Sequence, residues 1–223
     1  MVKYNQLYEG TMFCGIDEAG RGSVMGPLVV ASVGVEDDDM LKKIGVKDSK
    51  KLAPKVRERM YDEIVACAKY NVVIISAKEI DQRRSRETLN EIEADMFAQS
   101  VREMKASRIY ADCPDVNETA FSTELSVMLG NRTVIAKHKA DDTYPVVSAA
   151  SIIAKVTRDR MIAEISKEFG KGIGSGYPSD TVTMDFIEKW IKEKGRAPPY
   201  TRCSWEPVRK MLTLSSNSKI TDW

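Results

Sequence analysis

The chain has 223 residues, 43% apolar and 30% charged, with a formal net charge of +1. That length can bury a full core as one large domain, or one domain with an extension, and no run approaches the roughly 18 apolar residues needed to span a membrane. A charge this close to zero excludes a basic overall field as the basis of nucleic-acid binding, so any such surface must be local.

The first residues, Met1 to Gln6, lack the apolar core of a signal peptide, and a cytoplasmic location is expected. Cys14, Cys67, Cys113 and Cys203 are scattered, without the close spacing of a zinc site, and are expected to be unbridged. Residues 1–11 are polar. A short apolar run, Met12 to Ile16, then predicts a buried strand that stops where Asp17 and Glu18 begin. The turn Gly20-Arg21-Gly22 follows. Its glycines permit close backbone approach to a ligand, and its arginine offers an always-charged fork that fits phosphate. Taken alone, the same stretch is also an ordinary strand-to-turn junction with surface acids.

Leu28 to Val35 is rich in β-branched residues and predicts a second strand, close enough to the first to pair antiparallel with it. Glu36 to Asp39 reads as a solvated acidic loop. A helix is expected from Pro54 to Lys69, with proline in its first turn and Met60, Ile64 and Ala68 on one face. Asn71 to Ala77 predicts a third strand. Thr88 and Glu91 have capping-box spacing and open a helix that buries Leu89, Ile92, Met96, Phe97, Val101 and Met104.

Ser107 to Asp112 is another short strand ending in a carboxylate, and a helix capped by Asp115 or Asn117 runs on to about Leu129. Arg132 onwards repeats the pattern, a strand followed by Asp141 and Asp142. A long helix is expected from Pro145 to Phe169. Lys171 to Pro178, with three glycines and a proline, marks a boundary. Helices from Thr181 to Lys194 and from Trp205 to about Leu212 follow, with a weakly ordered tail from Ser215 to Trp223. Strands interspersed with helices indicate a mixed α/β core and a small helical extension.

Three segments thus deliver acids after short apolar strands: Asp17-Glu18, Asp112 and Asp141-Asp142. In one sheet they would converge at one edge, where packed carboxylates repel one another and divalent cations relieve the repulsion. Such an acid-only set favours Mg²⁺ or Mn²⁺ over zinc. Two such ions are a common catalyst for attack on a phosphodiester. Aspartates after strands also serve as helix caps.

At this point the chain resembles type 2 ribonuclease H (ribonuclease HII), in its archaeal and eukaryotic style. The matching pieces are Gly15 to Gly22, Asp48 to Leu52, Tyr110-Ala111-Asp112, Lys137 to Asp141, Ser148 to Ile152, Ala154-Lys155-Val156, Arg158-Asp159 and Gly174 to Pro178. Each is weak alone; in this order they are specific.

The resemblance implies a ribonuclease H-like mixed sheet flanked by helices, as a catalytic core over residues 1–176, with a helical C-terminal extension over 177–223. It implies a metal-dependent endonuclease that cleaves RNA in RNA–DNA hybrids and nicks duplex DNA 5′ of single embedded ribonucleotides, leaving 3′-hydroxyl and 5′-phosphate ends. The family's four metal-binding, catalytic acids fall on Asp17, Glu18, Asp112 and Asp141, holding two Mg²⁺ or Mn²⁺ ions. Its ribose-sensing turn falls on Gly20, Arg21 and Gly22, with its tyrosine partner at Tyr177, and Lys50 lies in its phosphate-contacting segment.

Ser23 stands where many relatives carry proline, which is expected to loosen the turn. Some archaeal relatives end in a motif that docks on the sliding clamp; the tail here shows no clear version, and clamp docking is not expected. A monomer is expected. Two rival functions are a nucleotide-binding protein that uses the glycine turn as a phosphate loop and a non-catalytic hybrid-binding module. The first lacks the ending of a P-loop. The second is disfavoured because unmetallated acids repel phosphate. The sole histidine, His138, is assigned a phosphate contact or a structural role, and Trp205 the anchoring of the last helix.

Overall fold

The computed structural model describes residues 12–46 and 52–218, the last two by backbone alone. The chain divides into two compact units, the first made of residues 1–18, 30–73 and 90–156, the second of residues 19–29, 74–89 and 157–223.

The first unit holds nearly all of the sheet. Among the described residues the sheet has five strands, β1 (Phe13–Ala19), β2 (Leu28–Val35), β3 (Lys69–Ile75), β4 (Arg108–Asp112) and β5 (Thr133–Lys137), in the order β3-β2-β1-β4-β5. β1 runs parallel to β4, and β4 parallel to β5. β1 is central, and Cys14 and Ile16 are wholly buried on one of its faces.

Gly15 lies on the other face. A Cβ there would stand 2.3 Å from the Val146 carbonyl carbon, so only glycine lets the backbone at Val146, far along the chain, come so close. Contrary to the expectation of a strand that stops before the acids, β1 continues through Asp17 and Glu18. The alternation of the strand therefore sets Asp17 on the face of Gly15 and Glu18 on the other.

The helices of this unit are α1 (Asp39–Ile44), α2 (Pro54–Cys67), α4 (Leu89–Val101), α5 (Glu118–Met128), α6 (Ala140–Thr143) and the first half of α7 (Pro145–Glu168); α3 (Ala77–Arg83) lies in the other unit. α1 was not expected: part of the acidic run becomes its first turn, with Lys42 paired to Asp38 at 2.6 Å. α4 buries Ile92, Met96, Phe97 and Val101 as its pattern predicts, and the Phe97 and Phe121 rings meet edge to face at 5.7 Å. Glu93, also wholly buried, is a position the pattern did not flag.

The second unit is built from α3, the rest of α7, α8 (Thr181–Lys194) and α9 (Glu206–Ser218). Its core gathers Val24, Met25, Ile162, Ile165, Phe186, Ile187 and Val208, with Trp205 packed against it as expected. α9 continues through Ser218, beyond the predicted end near Leu212. The four cysteines are free, and among the described residues no helix is long and apolar enough to cross a membrane.

Candidate active site

The parallel register pairs Gly15 with Tyr110 and Ile16 with Ala111. One further step sets Asp17 beside Asp112, with the strands about 4.8 Å apart. Asp17 is only 4% exposed. Burial first, then the charges of Glu18 and Asp112, hold its carboxyl well above the usual range, against hydrogen bonds from the Ser151 side chain and the Glu18 N–H. Asp112 ends β4, and its Oδ1 accepts the Ala140 N–H at 2.8 Å.

Asp141 does not follow its strand directly. After β5 the chain turns through His138 and Lys139, the latter at φ 56°, a conformation that non-glycine residues take only where surrounding bonds impose it. Glu118 imposes it in part, accepting the His138 N–H at 2.7 Å and the Lys137 ammonium at 2.9 Å. The turn delivers Ala140 to Asp112 and starts α6, which places Asp141 in its first turn at 4% exposure while Asp142 stays exposed. The Ser148 hydroxyl donates to the Asp141 carbonyl. His138 is itself exposed, and its backbone, rather than its ring, makes the bond to Glu118.

The donors at these strand ends are oxygen only, and burial followed by the Glu18 and Asp112 charges raises the Asp17 carboxyl pKa, a setting that suits hard divalent cations. Among the described residues no three His, Cys, Asp or Glu side chains are drawn close enough to enclose an ion as they stand. The fit therefore rests on donor chemistry and charge coupling.

In the second unit, Gly20 has φ 96°, and a Cβ there would lie 2.4 Å from Arg158 Nε and 2.6 Å from the Pro27 carbonyl oxygen. Gly22 differs: it is exposed and a Cβ there would meet nothing within 4 Å. Ser23 closes the turn rather than loosening it. Its N–H and its hydroxyl both donate to the Gly20 carbonyl, at 3.2 and 2.8 Å, and proline could make neither bond.

The carbonyl of Gly176 accepts the N–H groups of Val24 and Met25 at 2.8 and 3.1 Å, tying the residue before Tyr177 to the chain leaving the glycine turn. Tyr177 is half-buried, with the Arg158 guanidinium 4.6 Å from its ring centre. Sequence reasoning missed Ser151, Arg158 and Arg202 as individual contributors. Arg158 carried one signal, its place in the Arg158-Asp159 piece of the family resemblance; Arg202 carried none.

Lys50, with Lys47 and Lys51, lies outside the described residues. Further along the chain, Arg83 pairs with Glu87 at 2.5 Å, while Arg84 and Arg86 are exposed.

Comparison with known proteins gives relatives that match most of the chain. The family model for ribonuclease HII matches residues 14–208. A ribonuclease HII of Methanospirillum hungatei is 46% identical over 95% of this chain and all of its own length. One from Thermococcus kodakarensis is 46% identical over 92% of this chain and 91% of its own. Among solved structures, ribonuclease H2 from Pyrococcus horikoshii superposes with a TM-score of 0.86 at 41% identity, covering 92% of this chain and 99% of that one. The ribonuclease HII of Archaeoglobus fulgidus, solved in complex with PCNA, gives 0.84 at 44% identity, covering 89% and 96%.

The fold and the family model define a metal-dependent hydrolase of the ribonuclease H class. The chain belongs to the ribonuclease HII family, whose members cleave the RNA strand of RNA–DNA hybrids as endoribonucleases. The PCNA complex of the Archaeoglobus relative bears against the expectation, drawn from the tail, that no clamp is docked.

Proposed function

We propose that this protein nicks duplex DNA on the 5′ side of a single embedded ribonucleotide, in addition to cleaving RNA in hybrids, and leaves 3′-hydroxyl and 5′-phosphate ends. Asp17, Glu18, Asp112 and Asp141 would hold two Mg²⁺ or Mn²⁺ ions. Bound there, such ions supply an activated water and stabilise the leaving oxygen. The protein's own part is to fix the carboxylates: β1 and β4 set Asp17 beside Asp112, and the Ala140 bond seats the start of α6.

Sugar selection is assigned to Gly20, Arg21, Gly22 and Tyr177. A ribonucleotide inside DNA is marked by its 2′-hydroxyl, both donor and acceptor. Gly22 leaves open space above the turn, and the tyrosine ring packs on the sugar, where ribose and deoxyribose differ. The observation that carries this reading is the Gly176 carbonyl, whose two bonds to Val24 and Met25 join the glycine turn to the segment bearing Tyr177. Lys50 is assigned a phosphate contact, which would set register without reading sequence. The Archaeoglobus complex makes a sliding clamp a candidate partner.

Incubation with Mg²⁺ and a duplex carrying one ribonucleotide tests the reading. A single nick 5′ of the ribonucleotide, with an extendable 3′-hydroxyl, is expected; an uncut duplex beside a cleaved hybrid would refute it.

A further inference from the structure

Arg158 and Arg202 are both wholly buried. Burying a guanidinium is costly unless its donors are satisfied, and burial lowers the pKa of both, that of Arg202 to about 9, with the charge of Arg158 adding to the effect. Their hydrogen bonds go to backbone carbonyls. Arg202 donates to Arg21 at 3.0 Å and, from Nε and Nη2, to Gly26 at 3.2 Å each. Arg158 donates to Met25 and Ser175 at 3.1 Å each and to Pro27 at 3.4 Å. Their flat faces meet rings, Arg158 that of Tyr177 and Arg202 that of Trp205 at 4.9 Å.

The carbonyls bonded belong to two segments, 21–27 and 175, which are those that carry the glycine turn and Tyr177. A guanidinium is a rigid fork with five donors, so one arginine can bond carbonyls on two segments and fix the angle between them; a lysine ammonium lacks that geometry. Arg202 is itself held from outside. Asp81, on α3, accepts the N–H groups of Cys203 and Ser204 at 2.7 and 3.1 Å and the Ser204 hydroxyl at 2.6 Å. The Arg202 N–H donates to the Val24 carbonyl at 2.8 Å, which ties its backbone to the same segment as its side chain.

We propose that Arg158 and Arg202 are positioning residues for ribonucleotide selection, which together set the Gly20–Arg21–Gly22 turn against Tyr177, with Asp81 fixing Arg202 through the Cys203–Ser204 turn. This rests on the reading of that turn and Tyr177 as the sugar-sensing elements. Neither arginine touches substrate in this role. Arg158 orients the tyrosine ring and the chain leaving the turn; Arg202 holds the carbonyl of Arg21 inward, which leaves the exposed side of the turn to the sugar.

A double-mutant cycle tests it, with kcat/KM on a single-ribonucleotide duplex as the measure. Arg158→Lys keeps the charge and the stem and loses the fork. It is expected to lower kcat/KM at least about tenfold, equivalent to about 1.4 kcal/mol, in the parent, and by no more than about twofold in a Tyr177→Ala background. A general loss of folded enzyme would multiply equally in both backgrounds, so equal losses would overturn the proposal, as would parent-level activity of Arg158→Lys. A silent Tyr177→Ala would instead refute the sugar-sensing reading, and the proposal with it.

If Arg158→Lys melts, Asp81→Asn carries the test from outside the buried pair. A threefold or greater loss on the single-ribonucleotide duplex, absent in the Tyr177→Ala background, is expected, with a melting temperature near the parent's. Losses equal in the two backgrounds, or no loss, would overturn the proposal.

Discussion

The Asp112 carboxylate accepts the Ala140 N–H at 2.8 Å, so the acid that ends β4 also seats the first residue of α6. Two of the four acids are thereby coupled through backbone: a change at Asp112 acts on Asp141 as well as on itself.

Asp17→Asn and Asp112→Asn are each expected to lower cleavage at least a hundredfold, about 2.7 kcal/mol on the barrier, while hybrid binding measured without turnover persists. Asp112→Asn should in addition lower the melting temperature, because the Ala140 bond then ends on a neutral oxygen. Asp141→Asn should cost far more activity than Asp142→Asn, since Asp141 is buried and Asp142 exposed. Steady-state cleavage of a hybrid ranks them, and the reverse order would place the ligand at Asp142.

The two glycines of the turn should separate stability from selectivity. Gly20→Ala forces a Cβ toward Arg158 and the Pro27 carbonyl at a positive φ, and is expected to cost about 1 to 3 kcal/mol of stability. Gly22→Ala meets open space and should leave the melting temperature near the parent's. If the turn receives the sugar, its added methyl should still lower nicking at a single ribonucleotide several-fold. Thermal denaturation beside a nicking assay distinguishes the two effects, and a Gly22→Ala protein with parent activity would move sugar reading away from that residue.

Tyr177→Ala is expected to lower cleavage at a single embedded ribonucleotide at least about tenfold, or about 1.4 kcal/mol on the barrier. Tyr177→Phe should fall between, separating ring packing from a bond by the hydroxyl. Loss of thermal stability in proportion to activity would mean that the ring merely packs the second unit.

Asp180 caps α8 and also accepts the Ser175 N–H at 2.6 Å and the Ser175 hydroxyl at 2.8 Å. The Ser175 N–H bond, ahead of the other donors, holds its carboxyl below the usual range. A carboxyl whose folded pKa is depressed stabilises the protein above its unfolded value of about 3.9 and loses that contribution as pH falls through the folded value. Asp180→Ala should cost about 1 kcal/mol at neutral pH, the usual worth of such a cap, and progressively less in acid. Melting curves of parent and variant that stayed equally far apart down to about pH 3 would refute the assignment.

Much of the fold was legible in the sequence because it rests on local periodicity. Leu28–Val35, Pro54 as the start of α2 and Thr181–Lys194 fall where β-branched content, proline placement and the glycine-rich break before the last helices put them. Asp17, Glu18 and Asp112 stood out because carboxylates at the ends of apolar strands are a pattern in one dimension. What escaped was set by contacts between residues far apart in sequence. α1 and α3 are short and carry little periodic signal. The requirement for glycine at position 20 comes from Arg158, 138 residues further on, and the burial of Arg202 comes from carbonyls of Arg21 and Gly26. Sequence by itself determined which residues bring charge, oxygen donors and conformational freedom to the site. Only the tertiary structure decided that two arginines, ordinary in composition, would end inside the protein, because the carbonyls that satisfy a buried guanidinium exist as a set only after the chain has folded around it.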